Sequence, residues 1–353
     1  MIGVTRIFKI GLRVAEWATP HVKEWHRVRH LNRNEAQHHF DARNWSEAEK
    51  YLQLALEEPQ HSAVDRLEFL LRLAEAQGRQ GKLEDAEETA SRAIKLAVHE
   101  ENGSLHALAL DALADVQLNQ QRYGEAEKSA QEVIHLETAR AKPDHTLLAS
   151  SSRKLASALE KNQRPAEALE ALKMALSHAE KAFGAGHTET AHHLHELGLM
   201  HQRGGDHGAA QGCFRRALGI QRAVGMNSAA DTQEATQTLY HLAASLEESG
   251  HLHDAAAEFE KMLALRDRQI GADREETARA QVRLAALHLR SGRIASAREL
   301  LLQALPALEG TGGPPLALAL EALASAEERS GRAQQARQYR EKAVVAAALH
   351  AAK

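Results

Sequence analysis

The 353-residue sequence has seven prolines, one cysteine and few aromatic residues, and it lacks a long hydrophobic run. Aromatic residues make up 4% of the chain, whereas β-sandwiches and barrels are rich in aromatic and β-branched residues. No apolar run reaches the length of about 18 residues that a transmembrane helix requires. The lone Cys213 excludes intramolecular disulfides and a cysteine-ligated zinc site. We therefore expect a soluble, cytosolic protein without β-architecture.

The sequence is rich in alanine, leucine and charged residues, most of which are strong helix formers. The net charge of −4 argues against nucleic-acid binding. The charge is uneven, however, because residues 1–33 carry seven Lys or Arg and two acidic residues, a net +5 that leaves −9 for the rest. The amino-terminal segment is therefore chemically distinct from the remaining, helix-favouring chain.

A repeat runs through that remaining chain. A small residue recurs every 38 to 45 positions, at Ala48, Ala86, Ala126, Ala168, Ala210, Ala255, Ala297 and Ala336. Five positions before each of these we predict a turn, at Arg43, Gly81, Gln121, Gln163, Gly205, Gly250, Gly292 and Gly331. Glycine suits such a turn because helices often end with one residue in the left-handed conformation.

A leucine followed by a small residue precedes the turns at a fixed offset, as in Leu73-Ala74, Leu197-Gly198 and Leu242-Ala243. The small residue lets two helices approach closely, and the leucine fills the seam beside it. Each unit is therefore predicted to be a helix, a tight turn and a second helix. Such a unit cannot bury its apolar face alone, so the units must stack.

These features resemble the tetratricopeptide repeat (TPR), which has small residues at its helix contacts and a Gly-x-aromatic turn. The resemblance covers residues 29–350 and follows a basic amphipathic segment, residues 1–28. It implies an all-α superhelical solenoid of about eight helix-turn-helix repeats. The segments 141–149, 183–191 and 270–278 resemble the linkers of the kinesin-light-chain-like subclass, although that subclass's paired inner-helix asparagines are missing. Bacterial proteins of this subclass accompany bacterial tubulins.

The family resemblance implies that the first helix of each repeat lines a groove for a protein partner. The third repeat offers Asp111 and Asp115 there, and later repeats are basic. The candidate partner-binding residues are Arg153, Lys154, Gln237, Tyr240, His241, Arg279, Arg283 and Arg290, with Lys161 nearby. They suit an extended acidic segment, while solvated surface charges are the alternative interpretation. Arg279 and Arg283 resemble part of a carboxylate clamp, but Leu199 and His241 occupy its asparagine positions.

Catalytic signatures are missing from the sequence. It has no phosphate-binding glycine loop, dinucleotide fingerprint or serine elbow, so we predict no enzyme and no cofactor. His192, His195 and Glu196 share one predicted helix face at a spacing that a metal accepts. No His-Glu-x-x-His motif accompanies them, and we predict no metal site. Cys213 is interpreted as a packing residue.

Residues 2–18 form a basic amphipathic helix on a helical wheel, and Pro20 ends it. This pattern is typical of a helix that lies on an anionic membrane. The predicted membrane contacts are Arg6, Ile7, Phe8, Lys9, Ile10, Leu12, Arg13 and Trp17. Packing on the first repeat or on a partner, and a mitochondrial presequence, are alternatives.

The sequence thus favours a non-enzymatic adaptor or scaffold that binds a protein through its repeats. A tubulin-like filament is one partner that the resemblance implies, and the amino-terminal helix would tether it to the inner face of a membrane. The alternative is a soluble peptide-binding receptor whose amino-terminal helix packs on its own repeats.

Overall fold

The computed structural model describes residues 31–58, 61–225, 228–266 and 274–351, and every regular element within these ranges is an α-helix. The helices are α1 (Leu31–Asp41), α2 (Trp45–Glu57), α3 (Ala63–Arg79), α4 (Leu83–His99), α5 (Gly103–Asn119), α6 (Tyr123–Thr138), α7 (His145–Lys161), α8 (Pro165–Phe183), α9 (Thr188–Arg203), α10 (His207–Val224), α11 (Ala229–Glu248), α12 (Leu252–Arg266), α13 (Arg274–Arg290), α14 (Ile294–Thr311), α15 (Pro314–Arg329) and α16 (Ala333–Ala351). Successive helices pair into eight helix-turn-helix hairpins, and the all-α prediction is confirmed.

The small residues that mark the repeat lie where two helices meet. All eight predicted alanines, from Ala48 to Ala336, are at most 1% exposed. Gly198 approaches its neighbour most closely, because a Cβ placed there would come within 2.6 Å of the Phe214 ring. The predicted close helix contacts are therefore confirmed.

The eight predicted turn residues all adopt a positive φ, from 56° at Arg43 to 85° at Gly250. Three of them are not glycine: Arg43, Gln121 and Gln163. At each turn the helix ends with the same hydrogen bonds, as when the backbone N–H of Arg164 donates to the carbonyl of Leu159 at 2.9 Å. These bonds satisfy carbonyls at the end of the first helix, so the geometry does not require glycine.

The described residues divide between His178 and Ala179 into two compact units, which we call the N-terminal and C-terminal units. Leucine, alanine and Phe69 supply the buried clusters of the N-terminal unit. Larger side chains fill the C-terminal unit, where Phe214, Phe259 and Met262 are fully buried in one cluster. The two units therefore share a hairpin design but differ in core composition.

Polar side chains join neighbouring hairpins within the N-terminal unit. The residue after the buried alanine is glutamate in the first three hairpins, and it binds the turn of the next hairpin. These clasps join Glu49 to Gln80 and Lys82, Glu87 to Gln120 and Arg122, and Glu127 to Asn162 and Arg164. Charge-assisted bonds of this kind align each hairpin on its predecessor.

The C-terminal unit uses the same position with different chemistry. Gln211 donates to the hydroxyl of Ser249 at 2.9 Å, with no charge involved. In the seventh hairpin the polarity is reversed, because Arg298 donates to the buried Glu327 at 2.6 Å. The position therefore forms a clasp with varying charge in five hairpins, whereas the fourth and sixth hairpins have the apolar residues Leu169 and Ala256 there.

The segments that precede α7 and α9 supply the caps of those helices. The carboxylate of Asp144 accepts from the backbone N–H groups of Thr146 and Leu147. The ring of His187 accepts from the backbone N–H of Glu189 at 3.2 Å. His187 therefore has an architectural role at the start of α9.

Candidate partner-binding faces

The predicted partner-binding residues all lie on first helices of hairpins: α7, α11 and α13. In the N-terminal unit α5 contacts both α3 and α7, and in the C-terminal unit α9 contacts α11 and α13 contacts α15. Side chains join α11 to α13, as when Arg283 donates to Glu247. Together they present a continuous side of each unit, which we call its first-helix face. Arg153 and Lys154 belong to the face of the N-terminal unit, and the other six candidates belong to that of the C-terminal unit.

Arg283 organises the face of the C-terminal unit. Its Nε donates to Glu247 at 2.9 Å, and its guanidinium lies 5.6 Å from the ring centres of both Tyr240 and Phe259. Burial acts to lower the pKa of Arg283, but Tyr240 and Glu247 raise it and hold this pKa above its ordinary value. The stacked guanidinium therefore stays charged while partly withdrawn from water.

Two imidazoles extend this cluster toward α9. The rings of His241 and His195 lie 5.5 Å apart at 75°, and both contact the buried Phe214. Burial, with nearby Arg283 adding to it, lowers the pKa of His241 from 6.5 to about 4. Burial also lowers the pKa of His195 to about 4, and its Nδ1 lies 3.0 Å from the hydroxyl of Thr238. Both rings are therefore neutral near pH 7, and they can offer hydrogen bonds but no charge.

The other three candidates of this unit are exposed around that cluster. Gln237 lies one turn before Tyr240 on α11, and Arg279 and Arg290 flank Arg283 on α13. Arg279 pairs with Glu275 of its own helix. The structure thus brings Tyr240, His241 and Arg283 into contact and places the remaining three beside them. Sequence reasoning did not assign Glu247 to the site, because an acidic residue next to the end of a helix carried no distinctive signal.

On the N-terminal face, Lys154 is an internal residue. It is 4% exposed, and its ammonium binds the carboxylates of both Asp111 and Asp115. Asp111 also accepts from the hydroxyl of Ser151 at 2.6 Å. The acidic and basic stretches expected from the sequence therefore neutralise each other across α5 and α7, because their side chains meet between adjacent helices. Arg153, the neighbour of Lys154, is exposed.

A cavity of about 700 Å³ opens on this same face, between α3 and α5 and beside Arg153 of α7. We call it the first-helix cavity. Leu71, Leu108 and Val116 provide apolar lining, and Glu75 and Arg79 are among its charged residues. Its size is in the range of ligand pockets. Sequence reasoning did not foresee it, because it depends on the small residues that face each other across two helices.

Four segments of the sequence match models described as tetratricopeptide repeat, over residues 33–98, 71–146, 146–223 and 234–310. Together they span most of the chain. The protein belongs to the tetratricopeptide repeat family. The fold class and the family predicted from the spacing of small residues and turns are thereby confirmed.

Three solved TPR-like structures illustrate the likeness. The protein is similar to BtubC (BKLC) from P. vanneervenii, with 20% identity and a TM-score of 0.55 over 65% of this chain and 92% of that one. It is similar to the apo form of RapI, with 14% identity and a TM-score of 0.64 over 79% and 76% of the two chains. It is also similar to a signal transduction ATPase with numerous domains from Pyrococcus horikoshii, which has a tetratricopeptide repeat sensor. The identity is 16% and the TM-score is 0.67, over 90% of this chain and 47% of that one. At these identities the likeness shows the fold alone. No curated protein matches the sequence.

TPR proteins generally mediate protein–protein interactions and act as non-enzymatic scaffolds. In the described part of this TPR protein, no three histidine, cysteine or acidic side chains are grouped so as to hold a metal ion. His192 instead pairs with Glu234 at 3.2 Å. Cys213 is partly buried, and this burial raises the pKa of its thiol.

The predicted membrane-contact residues, from Arg6 to Trp17, lie outside the described residues. Among the helices that are described, none combines the length and the hydrophobicity needed to cross a membrane.

Proposed function

We propose that this TPR protein is an adaptor whose C-terminal unit holds an extended acidic segment of a partner protein. The observation that carries the proposal is the row of arginines on α13, where Arg279, Arg283 and Arg290 follow one another along the first-helix face. Glu247 pairs with Arg283 and Glu275 pairs with Arg279, so the three arginines of this row exceed their two carboxylate partners by one positive charge. Guanidinium groups bind carboxylates through paired hydrogen bonds, which favours an acidic partner.

Tyr240 and His241 give this face a second contribution. Tyr240 offers a ring beside a partly desolvated guanidinium, and His241 offers a neutral donor or acceptor. Aromatic residues and arginine supply most of the energy in protein interfaces. A partner segment would therefore place carboxylates on the outer arginines and an apolar side chain against Tyr240.

We further propose that residues 1–28 attach the adaptor to an anionic membrane on the cytoplasmic side, and that the partner is a tubulin-like filament. The likeness to BtubC (BKLC) and the net charge of +5 over residues 1–33 support this pairing. Each cation near an anionic surface contributes about 1 kcal/mol, and inserted apolar side chains add to it.

The proposed binding to a filament is tested by cosedimentation of the protein with assembled bacterial tubulin. The double variant Arg279→Glu/Arg290→Glu should lose at least ten-fold in affinity. The matched control, Arg222→Glu/Arg337→Glu, makes the same charge change at exposed positions on second helices α10 and α16, and it should bind like the wild type. An equal loss of affinity in both double variants would indicate an effect of net charge. It would contradict the assignment of partner binding to the first-helix face.

The proposed attachment to a membrane is tested by flotation of the full chain with anionic and neutral liposomes. Phe8→Glu should abolish flotation, while Thr5→Glu adds the same charge on the polar side of the predicted helix and should retain most of it. If the wild type does not float and Phe8→Glu lowers its melting temperature, the segment packs on protein. The molecule would then be a soluble peptide receptor.

A further inference from the structure

An open groove lies beside the eighth hairpin, between α15 and α16. It encloses about 680 Å³, and we call it the α16 groove. Leu316 and Leu320 of α15 and Val345 of α16 give it an apolar lining, and Glu341 and Lys342 of α16 also line it. The groove thus combines apolar side chains with charges of both signs.

Val345 departs from the repeat. It lies nine positions after the repeat alanine Ala336, and its equivalents in the other hairpins are all exposed. None of those equivalents has a large aliphatic side chain: Glu57, Lys95, His135, Ser177, Gly219, Ala264 and Pro306. Val345 is itself 58% exposed, so the repeat does not account for a valine there.

The neighbouring Val344 is different, although it is 68% exposed. Its equivalents in the other seven hairpins are all leucine or isoleucine: Leu56, Ile94, Ile134, Leu176, Leu218, Leu263 and Leu305. The apolar character of Val344 therefore belongs to the repeat, whereas that of Val345 is particular to the α16 groove.

The groove side of α16 has the pattern of a contact between two helices. Gln338, which also lines the groove, and Val345 are seven positions apart and lie on one side of the helix. Glu341 and Lys342 lie about 50° to either side of the line that joins them, since successive residues differ by about 100°. An apolar seam with flanking charges is the arrangement by which helices select a partner and an orientation.

A second copy of α16 has the matching charges. About a two-fold axis parallel to the helices, each Glu341 lies beside Lys342 of the other copy, which gives two ion pairs. An antiparallel arrangement would instead place Glu341 against Glu341 and Lys342 against Lys342. Both side chains are exposed, and neither forms an ion pair with another residue of the described ranges. The charges therefore favour a parallel pair.

We propose that the α16 groove is the interface of a homodimer in which α16 of a second copy lies parallel to α16. Val345 of each copy enters the groove of the other at the level of Leu316, and Glu341 pairs with Lys342 across the axis. The same patch is used on both copies, so assembly stops at the dimer. About two turns of helix form a small interface, for which we expect a dissociation constant on the order of 10 μM. This surface is separate from the face assigned to the acidic partner, and the dimer does not depend on that assignment.

The test is sedimentation equilibrium of the full chain at concentrations from about 1 to 100 μM, which bracket a weak dimer. The wild type should show a monomer–dimer equilibrium. Val345→Asp should weaken dimerisation by about ten-fold or more, because it places a charge in an apolar contact. Val344→Asp is the matched control, because it adds the same charge at the adjacent exposed valine, and it should dimerise like the wild type.

Exchange of the charges tests the orientation. Glu341→Lys should weaken the dimer, because two positive charges then meet across the axis. Glu341→Lys/Lys342→Glu should restore dimerisation, since the two pairs form again with reversed sign. In a Cys213→Ser chain, Gln338→Cys and Val345→Cys should each give disulfide-linked dimers on oxidation, whereas Val344→Cys should not.

A chain that stays monomeric, dimerisation of Val345→Asp like the wild type, or an equal loss in Val344→Asp would each overturn the proposal. So would failure of the double charge exchange to restore the dimer. If the chain is monomeric and Val345→Asp alone lowers its melting temperature, another segment of the same chain covers the groove. Circular dichroism melting of each variant distinguishes loss of the dimer from loss of the fold.

Discussion

The N-terminal and C-terminal units are built from the same hairpin, yet different forces hold their hairpins together. In the N-terminal unit, glutamate clasps such as Glu87 with Arg122 link successive hairpins, and a buried lysine joins α5 to α7. The C-terminal unit retains one charged clasp, from Arg298 to the buried Glu327, and adds the fully buried rings of Phe214 and Phe259 to its core. The comparison shows that the repeat fixes where two helices touch and leaves open whether charge or aromatic burial stabilises the contact.

The difference has consequences for how each unit responds to charge and pH. Ion pairs with buried members are sensitive to the loss of one partner, because the remaining charge stays desolvated. Neutral buried imidazoles are sensitive to acid, because the unfolded chain binds protons that the folded chain cannot. The two units should therefore fail under different perturbations. All three tryptophans lie within the first 45 residues, so tryptophan fluorescence follows the amino-terminal part while circular dichroism follows both units.

Removing the buried ammonium should have the largest effect. Lys154→Met leaves Asp111 without its ion pair in a partly buried position, and such a loss costs about 3–5 kcal/mol. Urea unfolding followed by tryptophan fluorescence should show this loss in the N-terminal unit. Hydrogen exchange should show faster opening of α5 and α7, with little change in α11 and α13.

The matched control is Lys161→Met, seven positions later on α7 and exposed. This change should alter the free energy of unfolding by less than about 0.5 kcal/mol. If both variants lose the same stability, lysine at this helix matters for solubility or helix propensity, and the charge network is not a determinant of the N-terminal unit.

Acid should affect the C-terminal unit first. The pKa values of His195 and His241 are lowered to about 4, so between pH 6.5 and 4 only the unfolded chain binds these protons. Stability is complete above pH 6.5 and falls with pH through that window, by about 3 kcal/mol at pH 5.5 for the two rings together. Arg203, Arg283 and His192 face these rings and add to the effect.

The N-terminal unit should also lose stability as the pH falls, but over a lower pH range. Hydrogen bonds from Gln120 and Arg122 hold the pKa of Glu87 below 4.5, so its contribution is complete above that pH and is lost below it. On acidification the helical signal should therefore decline before tryptophan fluorescence changes. His241→Gln should flatten the decline between pH 6.5 and 5, whereas His253→Gln, at a side chain 97% exposed, should not. A simultaneous change in both signals would contradict separate stabilisation of the two units.

The sequence was sufficient to predict the helices, the turns and the alanine contacts, because each depends on local spacing. Arg43, Gln121 and Gln163 were placed at turns by their distance from a buried alanine, although none is a glycine. The periodicity carried that inference where residue type alone would have failed.

The arrangement of the candidate faces depended on longer-range geometry. Lys154 follows an exposed arginine, and only the proximity of α5 and α7 shows that it is buried between two carboxylates. The first-helix cavity likewise depends on which residues of α3 and α5 are small where they face each other. These relations join residues about 40 positions apart, and no single helix carries their signal.

Substitutions at the turns should change the stability of the two units by the smallest amounts and in opposite directions. Gln163 in the N-terminal unit and Gly250 in the C-terminal unit occupy equivalent turns with φ of 61° and 85°. A left-handed conformation costs a residue with a side chain about 1 kcal/mol relative to glycine. Gln163→Gly should therefore stabilise the N-terminal unit by up to about 1 kcal/mol, and Gly250→Ala should destabilise the C-terminal unit by about the same amount. Thermal unfolding of both variants gives the signs directly. If Gln163→Gly is instead destabilising, the glutamine side chain stabilises its turn by more than the backbone cost, and the polar N-terminal unit would depend on its turns as well as on its clasps.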